Sequence, residues 1–236
     1  MNAGHLLALV AAIVGGVAAA PAFADGAPVY EGYDAFWKTL SDPVFGAADE
    51  KPLDDPQSFQ DHAFRAWGPI PADGARLAAG QHRVEILGPD ITIDHRVFKF
   101  AHAKVFAGEV ASEPGVDVRL FVGARNVCVQ GTAPSASGTA QRHVHVALVT
   151  DAFTRQARRY DLPSLFGSCL ALTRAAAGGL RFPDGAYHAA DGAAVDDGVD
   201  FRVWLLRGGA FSKTPRVLKL RFPEPGSVYR FQVSAP

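Results

Sequence analysis

Two histidines separated by one residue are the clearest candidates for metal chemistry in this sequence. His143 and His145 lie in the stretch QRHVHVALV, whose alternating valines are typical of a β-strand. Because side chains alternate between faces along a strand, both imidazoles are expected on the same face. Neutral imidazole is a good ligand for Zn or Cu, but such a site needs three or four donors. The residues available to complete it are His95, His102, His188, Asp94 and Glu109.

The alternative for this pair is a solvated or half-buried strand face, and in that case no cofactor is expected. The single methionine is at position 1, so a thioether ligand for copper is excluded from the mature chain. The sequence therefore leaves two interpretations open, a His-x-His metal site and an ordinary strand face.

A tryptophan beside an arginine is the second candidate site. In the stretch DFRVWLLRGG, alternation places Phe201 and Val203 towards a core and puts Arg202 and Trp204 together on the opposite face. An exposed Trp next to an Arg can stack on a flat ligand, a sugar or a peptide. The alternative is that another part of the chain covers this face.

The two cysteines, Cys128 and Cys169, are the only ones in the chain. An even count in an exported protein predicts one disulfide. The alternative is a catalytic thiol, but neither cysteine has an electropositive sequence context that would activate it.

The usual signatures of enzymes are absent from the sequence. It contains no Gly-x-Ser-x-Gly elbow, no Ser-x-x-Lys pair, no His-Glu-x-x-His helix and no phosphate-binding glycine loop. A hydrolase would therefore have to assemble its catalytic residues from distant strands.

The first 24 residues are interpreted as a signal peptide. An apolar run from Leu6 to Val17 precedes AAAPAFA, in which Ala22 and Ala24 fit the small-residue pattern for cleavage before Asp25. The leading MNAGH has no Lys or Arg, which is atypical, and an uncleaved anchor is the alternative. We expect a periplasmic or secreted protein without stable membrane insertion after cleavage.

The overall charge argues against polyanionic partners. The formal net charge is −1, which provides no long-range field to attract nucleic acid. The densest basic stretch, TRQARR, contains Arg155, Arg158 and Arg159 and is interpreted as a solvated strand or turn.

The pattern of hydrophobicity divides the chain into three parts. Residues 25–80 are proline-rich and predict an irregular arm with two short helices, in YDAFWKTL, where Asp34 is the expected cap, and in DPQSFQDHAFRAW. Residues 81–236 alternate with a period of two, which predicts one antiparallel β domain, a sandwich or an open barrel.

These observations favour an exported, non-catalytic β protein that binds a protein or a small-molecule ligand through a sheet face or loops. The alternative is a periplasmic metal-binding protein using His143 and His145. A hydrolase with dispersed residues is the third possibility.

Overall fold

The protein is mostly antiparallel β-structure, as the alternation of its sequence predicts. The computed structural model describes residues 28–51, 82–87, 89–102, 104–105, 116–132, 138–189, 195–224 and 226–234. A curled, half-barrel sheet is accompanied by further sheets, so the prediction of a sandwich or open barrel is confirmed. The predicted signal peptide, residues 1–24, and the predicted second helix of the arm lie outside the described residues.

The first sheet has six strands, which are β1 (Val29–Glu31), β12 (Thr173–Arg174), β13 (Leu180–His188), β14 (Gly198–Arg207), β15 (Ala210–Arg221) and β16 (Arg230–Val233). Their order across the sheet is β1, β16, β15, β14, β13, β12, and every pairing is antiparallel. The sheet is therefore a meander in which β1 is added at one edge.

The second sheet has seven strands, which are β2 (Glu50–Lys51), β6 (Lys104–Val105), β7 (Val116–Val122), β8 (Val127–Thr132), β9 (His143–Thr150), β10 (Arg158–Asp161) and β11 (Ser164–Leu165). Its order is β2, β7, β8, β9, β10, β6, with β11 also paired to β9. The pairing of β10 with β6 is parallel, and the others are antiparallel.

A small third sheet consists of β3 (Val84–Leu87), β4 (Asp90–Ile93) and β5 (Arg96–Phe98). Asp94 and His95 form the two-residue turn between β4 and β5 with φ values of 48° and 69°. Positive φ at both central residues is the geometry of the type I′ hairpin turn, and Asp tolerates it well.

The seven-stranded sheet is the middle layer, because its two faces contribute to different cores. Cys128 and Leu148 face a core shared with the six-stranded sheet, whereas Val129 and Val149 face a second core shared with the three-stranded sheet. All six residues of β8 are buried. This double coverage explains why NVCVQG is apolar throughout instead of alternating with polar residues.

The N-terminal arm adds a strand to each large sheet, where the sequence predicted irregular chain and helices. β1 pairs with β16 and β2 pairs with β7. The helix α1 (Tyr33–Trp37) forms as expected and buries Tyr33, Phe36 and Trp37, but its N-cap is Gly32 and no side chain caps it. Asp34 instead uses its carboxylate in an ion pair with Arg119.

The cysteines form a disulfide. The sulfur atoms of Cys128 and Cys169 are 2.06 Å apart, and both residues are fully buried in the first core. The bond ties β8 to the short 3₁₀ helix Cys169–Ala171. No helix in the described part of the chain has the length and apolar character that crossing a membrane requires.

Candidate functional site

Four hairpin turns meet at one end of the two large sheets and form a cleft of about 740 Å³. The seven-stranded sheet contributes the β7–β8 and β9–β10 turns, and the six-stranded sheet contributes the β12–β13 and β14–β15 turns. We call it the arginine cleft, because four arginines line it, Arg125, Arg158, Arg174 and Arg207.

Glycine pairs shape the wall that the six-stranded sheet contributes. Gly208 and Gly209 form the two-residue turn between β14 and β15 with φ values of 57° and 79°, the type I′ geometry. A Cβ on Gly209 would lie 2.7 Å from Nη1 of Arg158, so the absent side chain leaves room for that guanidinium group. Gly178 and Gly179 also have positive φ and close the other turn.

Hydrogen bonds hold the two turns of the seven-stranded sheet together. Arg125 forms an ion pair with Asp151, whose backbone N–H donates to Oδ1 of Asn126 at 3.2 Å. The backbone N–H of Ala152 donates to the carbonyl of Arg125 at 2.7 Å. The base of the cleft is therefore a fixed scaffold, although its wall consists of turns.

The cleft has more positive than negative charge. Asp151 is the one acidic side chain among its described lining residues, and Arg125 already neutralises it. Arg174 donates to the carbonyl of Pro43, which does not neutralise its charge. The guanidinium groups of Arg158 and Arg207 have no ion pair or hydrogen bond to the described residues. Three cations therefore lack a counter-charge in this region of the chain.

A second depression adjoins the arginine cleft and has the same sign of charge. It has a volume of about 360 Å³ and shares Arg158, Tyr160 and Gly209 with the cleft. Its lining adds Lys99 and His102 and, among the described residues, contains no Asp or Glu. The positive surface therefore continues around Arg158.

The two predicted metal ligands lie in different environments. His143 is exposed at the start of β9, whereas His145 is 1% exposed. In the described ranges no group of three or more His, Cys, Asp or Glu side chains is placed to hold a metal ion. A metal site at His143 and His145 stays a prediction, and the described residues do not supply a further ligand for it.

A buried ion pair lies beside His145. Its Nε2 lies 3.4 Å from Oδ1 of Asp161, and the same oxygen accepts a hydrogen bond from Nε of Arg159 at 3.1 Å. Arg159 also donates to the carbonyls of Pro89 and Phe98 at 2.7 and 2.9 Å. These bonds attach the three-stranded sheet to the middle sheet, so the cluster fixes the packing of the layers.

The predicted ligand platform is not present in the form that alternation suggested. Trp204 is 9% exposed and packs among Phe182, Leu206 and Phe211, while Arg202 is exposed. The pairing of β14 with β15 shifts between Arg202 and Trp204. Beyond that shift Trp204 faces the core, and its ring cannot stack on a ligand beside Arg202.

The basic stretch TRQARR was interpreted as solvated, and the structure divides it between two roles. Arg158 and Arg159 are neighbours on β10 and point to opposite faces, as strand geometry requires. Arg158 lines the arginine cleft, whereas Arg159 is 6% exposed and holds the second core together. The features of the sequence that could have indicated the cleft are Arg158 and the Gly-Gly pairs at 178–179 and 208–209.

The described residues thus place a positively charged cleft at the turn end of the sandwich. Its volume lies within the range of about 300 to 1,000 Å³ that is common for small-molecule sites. Comparisons of the chain with protein-family models, with curated proteins and with solved structures find no significant match.

Proposed function

We propose that this protein is an exported, non-catalytic β protein that binds a small anionic ligand in the arginine cleft. The observation that carries the proposal is the convergence of four arginines on one cleft, three of them without a carboxylate partner in the described residues. In a chain whose formal net charge is −1, this local excess does not follow from composition.

Arginine chemistry indicates the class of ligand. The planar guanidinium group offers paired N–H donors that match the oxygens of a carboxylate, phosphate or sulfate group. Grouping cations without counter-ions is unfavourable unless a ligand or solvent ions neutralise them. The turns that carry the arginines belong to different hairpins, so a ligand with two or more anionic groups can contact several of them at once.

The proposal of export rests on the leader and on the cysteines. The apolar run followed by a small-residue cleavage pattern is typical of a signal peptide. A buried disulfide is typical of proteins that fold in an oxidising compartment. Expression of the full chain in a secretion-competent bacterial host, followed by mass analysis, is expected to yield a product that begins at Asp25. A cytoplasmic product that retains residues 1–24 would contradict export.

Calorimetric titration of the mature protein tests the binding proposal. The probes are citrate, inorganic phosphate and inositol hexakisphosphate, with the neutral polyol erythritol as a control. We expect saturable binding of at least one anion and none of erythritol. Citrate binding alone indicates carboxylate recognition, whereas binding of the two phosphate probes indicates phosphate recognition.

Paired variants locate the site. The double change Arg158→Gln and Arg207→Gln removes two charge-assisted contacts, and we expect it to weaken anion binding on the order of a hundredfold. Arg202→Gln is the matched control, because Arg202 is exposed on the same strand as Arg207 but lies outside the cleft lining. Equal affinity in the double variant, or equal losses in both proteins, would overturn the assignment.

A further inference from the structure

A second cleft lies at the opposite end of β9 from the arginine cleft. It has a volume of about 320 Å³ and is lined by the start of α1, by β7 and β8, by the start of β9 with the residues before it, and by the two residues after β11. Tyr229 stands at its rim. We call it the tyrosine cleft.

Tyr229 is largely solvent-exposed, but its ring packs against other aromatic rings. Tyr229 is 55% exposed, and the other exposed large hydrophobic residues in the described chain are all valines. Its ring contacts the buried rings of Tyr33 and Phe166, with centroids 6.5 and 5.7 Å away. A supported, solvent-facing aromatic ring is a surface on which the C–H face of a ligand can stack at little entropic cost.

The aromatic support itself is fixed by hydrogen bonds. The hydroxyl of Tyr33 donates to the carbonyl of Val228 at 3.0 Å, and burial raises its pKa, so it stays protonated. The carbonyl of Phe166 accepts a bond from Nε1 of Trp37 at 3.2 Å. Phe166 has a φ of 51°, a conformation that is unfavourable for a bulky residue and is held by these contacts.

Polar groups of both hydrogen-bonding types line the cleft. The carboxylate of Asp34 pairs with Arg119. Oγ of Ser168 lies 3.2 Å from Oδ1 of Asp34 and 3.0 Å from the amide oxygen of Gln130, so these two acceptors share its one proton. The amide oxygen of Gln130 also accepts from the N–H of Cys169 at 2.7 Å. Because its oxygen is fixed in this way, the NH₂ group of Gln130 is oriented as a donor.

Among the described lining residues of this cleft, every charged side chain except Arg142 belongs to an ion pair, and Nη1 of Arg142 donates to the hydroxyl of Tyr187 at 2.8 Å. The acidic side chains of the cleft, Glu31 and Asp34, are paired with Arg230 and Arg119. Arg119 also forms a bidentate pair with Glu50 at 2.7 and 2.9 Å. A cationic ligand would therefore have to displace an existing partner and an anionic one could pair only with Arg142, whereas hydroxyl groups can accept from and donate to all the groups present.

We propose that the tyrosine cleft binds a neutral carbohydrate, with one sugar ring stacked on Tyr229 and its hydroxyl groups bonded to the polar lining. A sugar ring combines an apolar C–H face with hydroxyl groups that both donate and accept. That combination matches a supported aromatic ring beside polar groups that are mostly paired with one another. The proposal does not depend on anion binding in the arginine cleft.

Saturation-transfer NMR and calorimetry on the mature protein test this site. The probes are neutral tetrasaccharides of glucose in α- and β-linked forms, of xylose and of N-acetylglucosamine. We expect saturable binding of at least one of them. Absence of saturable binding across the panel at millimolar concentrations would overturn the proposal.

Variants at Tyr229 separate stacking from other contacts. Tyr229→Ala removes the ring, and we expect affinity to fall about tenfold, whereas Tyr229→Phe retains it. The exposure of Tyr229 means that both variants are expected to fold. The Arg158→Gln and Arg207→Gln double variant is the control and is expected to bind the saccharide normally. Unchanged affinity in Tyr229→Ala would contradict the proposal, even if the arginine cleft binds its anion.

Discussion

The two clefts lie at opposite ends of β9 and differ in how many of their charged side chains have a partner of opposite charge. In the arginine cleft, Arg158 and Arg207 have no carboxylate partner among the described residues. In the tyrosine cleft, Glu31, Asp34 and Arg119 all belong to ion pairs, and Arg142 donates to the hydroxyl of Tyr187. The middle sheet therefore has a cluster of arginines without carboxylate partners at one end and mostly paired polar groups at the other, and this difference predicts a charged ligand for the first cleft and a neutral ligand for the second.

The two clefts also differ in the interactions that support them. Turns with glycine pairs form the wall of the arginine cleft, whereas the disulfide and Gln130 tie down the segment that carries Phe166 and Ser168. The tyrosine cleft is thus supported by long-range covalent and hydrogen-bonded links. Changes that weaken one kind of support should affect one ligand and spare the other.

Removal of the disulfide is expected to have the largest effect. Changing Cys128 and Cys169 to Ala releases a loop with a sequence separation of 41 residues. The chain-entropy estimate for such a loop is a loss of about 4 kcal/mol in the free energy of unfolding. Urea denaturation of the variant and of the wild-type protein, with and without reductant, measures it.

The same variant sharpens the comparison of the two ends. Cys169 is adjacent to Ser168, so saccharide affinity should fall in the folded variant while anion affinity changes by less than twofold. Reduced wild-type protein is the matched control and should behave as the variant does. Equal losses at both clefts would show that the disulfide supports the whole sandwich and not one end.

Gly179→Ala is the corresponding change at the arginine cleft. Gly179 has a φ of 96°, and a Cβ there would lie 2.6 Å from the carbonyl oxygen of Leu206. Backbone strain together with this clash predicts a loss of about 3 kcal/mol in the free energy of unfolding, measured by urea denaturation. Because the turn must move, anion affinity should fall and saccharide affinity should not.

Gly226→Ala is the control for backbone strain alone. Gly226 has a φ of 82° and open space where a Cβ would stand. We expect it to lower the free energy of unfolding by about 1 kcal/mol. If both variants lose the same amount, the close approach of Leu206 is not what selects glycine at position 179.

Ionic strength separates the two clefts without mutation. Raising NaCl from 20 to 500 mM shortens the Debye length from roughly 20 Å to roughly 4 Å. We expect anion affinity in the arginine cleft to fall about tenfold and saccharide affinity in the tyrosine cleft to change by less than twofold. Titration of both ligands at each NaCl concentration measures the two affinities. The same salt dependence at both clefts would contradict the proposed difference in ligand charge.

The sheets were predictable because their signal is local. Alternation of apolar residues along β15 and β16 identifies them as strands with one wet face. The strands β1 and β2 were missed because they have three and two residues, too few to display a period. Their positions depend on β16 and β7, which are distant in sequence.

The candidate sites were less predictable because they depend on strand order. Arg125, Arg158 and Arg207 are far apart along the chain, and only the sheet topology brings their turns to one end. Trp204 was placed on the wrong face because a shift in pairing between neighbouring strands is not visible in the alternation of β14 alone. The environment of His145 could not be inferred, since Asp161 reaches it across the pairing of β10 with β9.

Acid titration of Glu50 gives the smallest effect and tests how the tyrosine cleft is supported. The hydrogen bonds from Arg119 lower the pKa of Glu50 below its ordinary value of 4.5, more than burial raises it. Because the folded-state pKa is the lower one, the stabilisation is present above pH 4.5 and is lost as the pH falls through the folded-state pKa. Glu50 is partly exposed, so solvent screening limits the contribution to about 0.5 kcal/mol.

Glu50→Gln should therefore lower the free energy of unfolding at pH 7, and the difference from the wild-type protein should vanish in strong acid. Urea denaturation between pH 7 and pH 2.5 measures it. Glu224→Gln is the matched control, since its carboxylate is 74% exposed and lies 3.7 Å from Arg230. Because Arg119 also holds Asp34, the Glu50 variant should bind the saccharide more weakly at neutral pH while anion affinity stays constant. A Glu50 variant with normal saccharide affinity would show that Asp34 and Ser168 position Arg119 without help from β2.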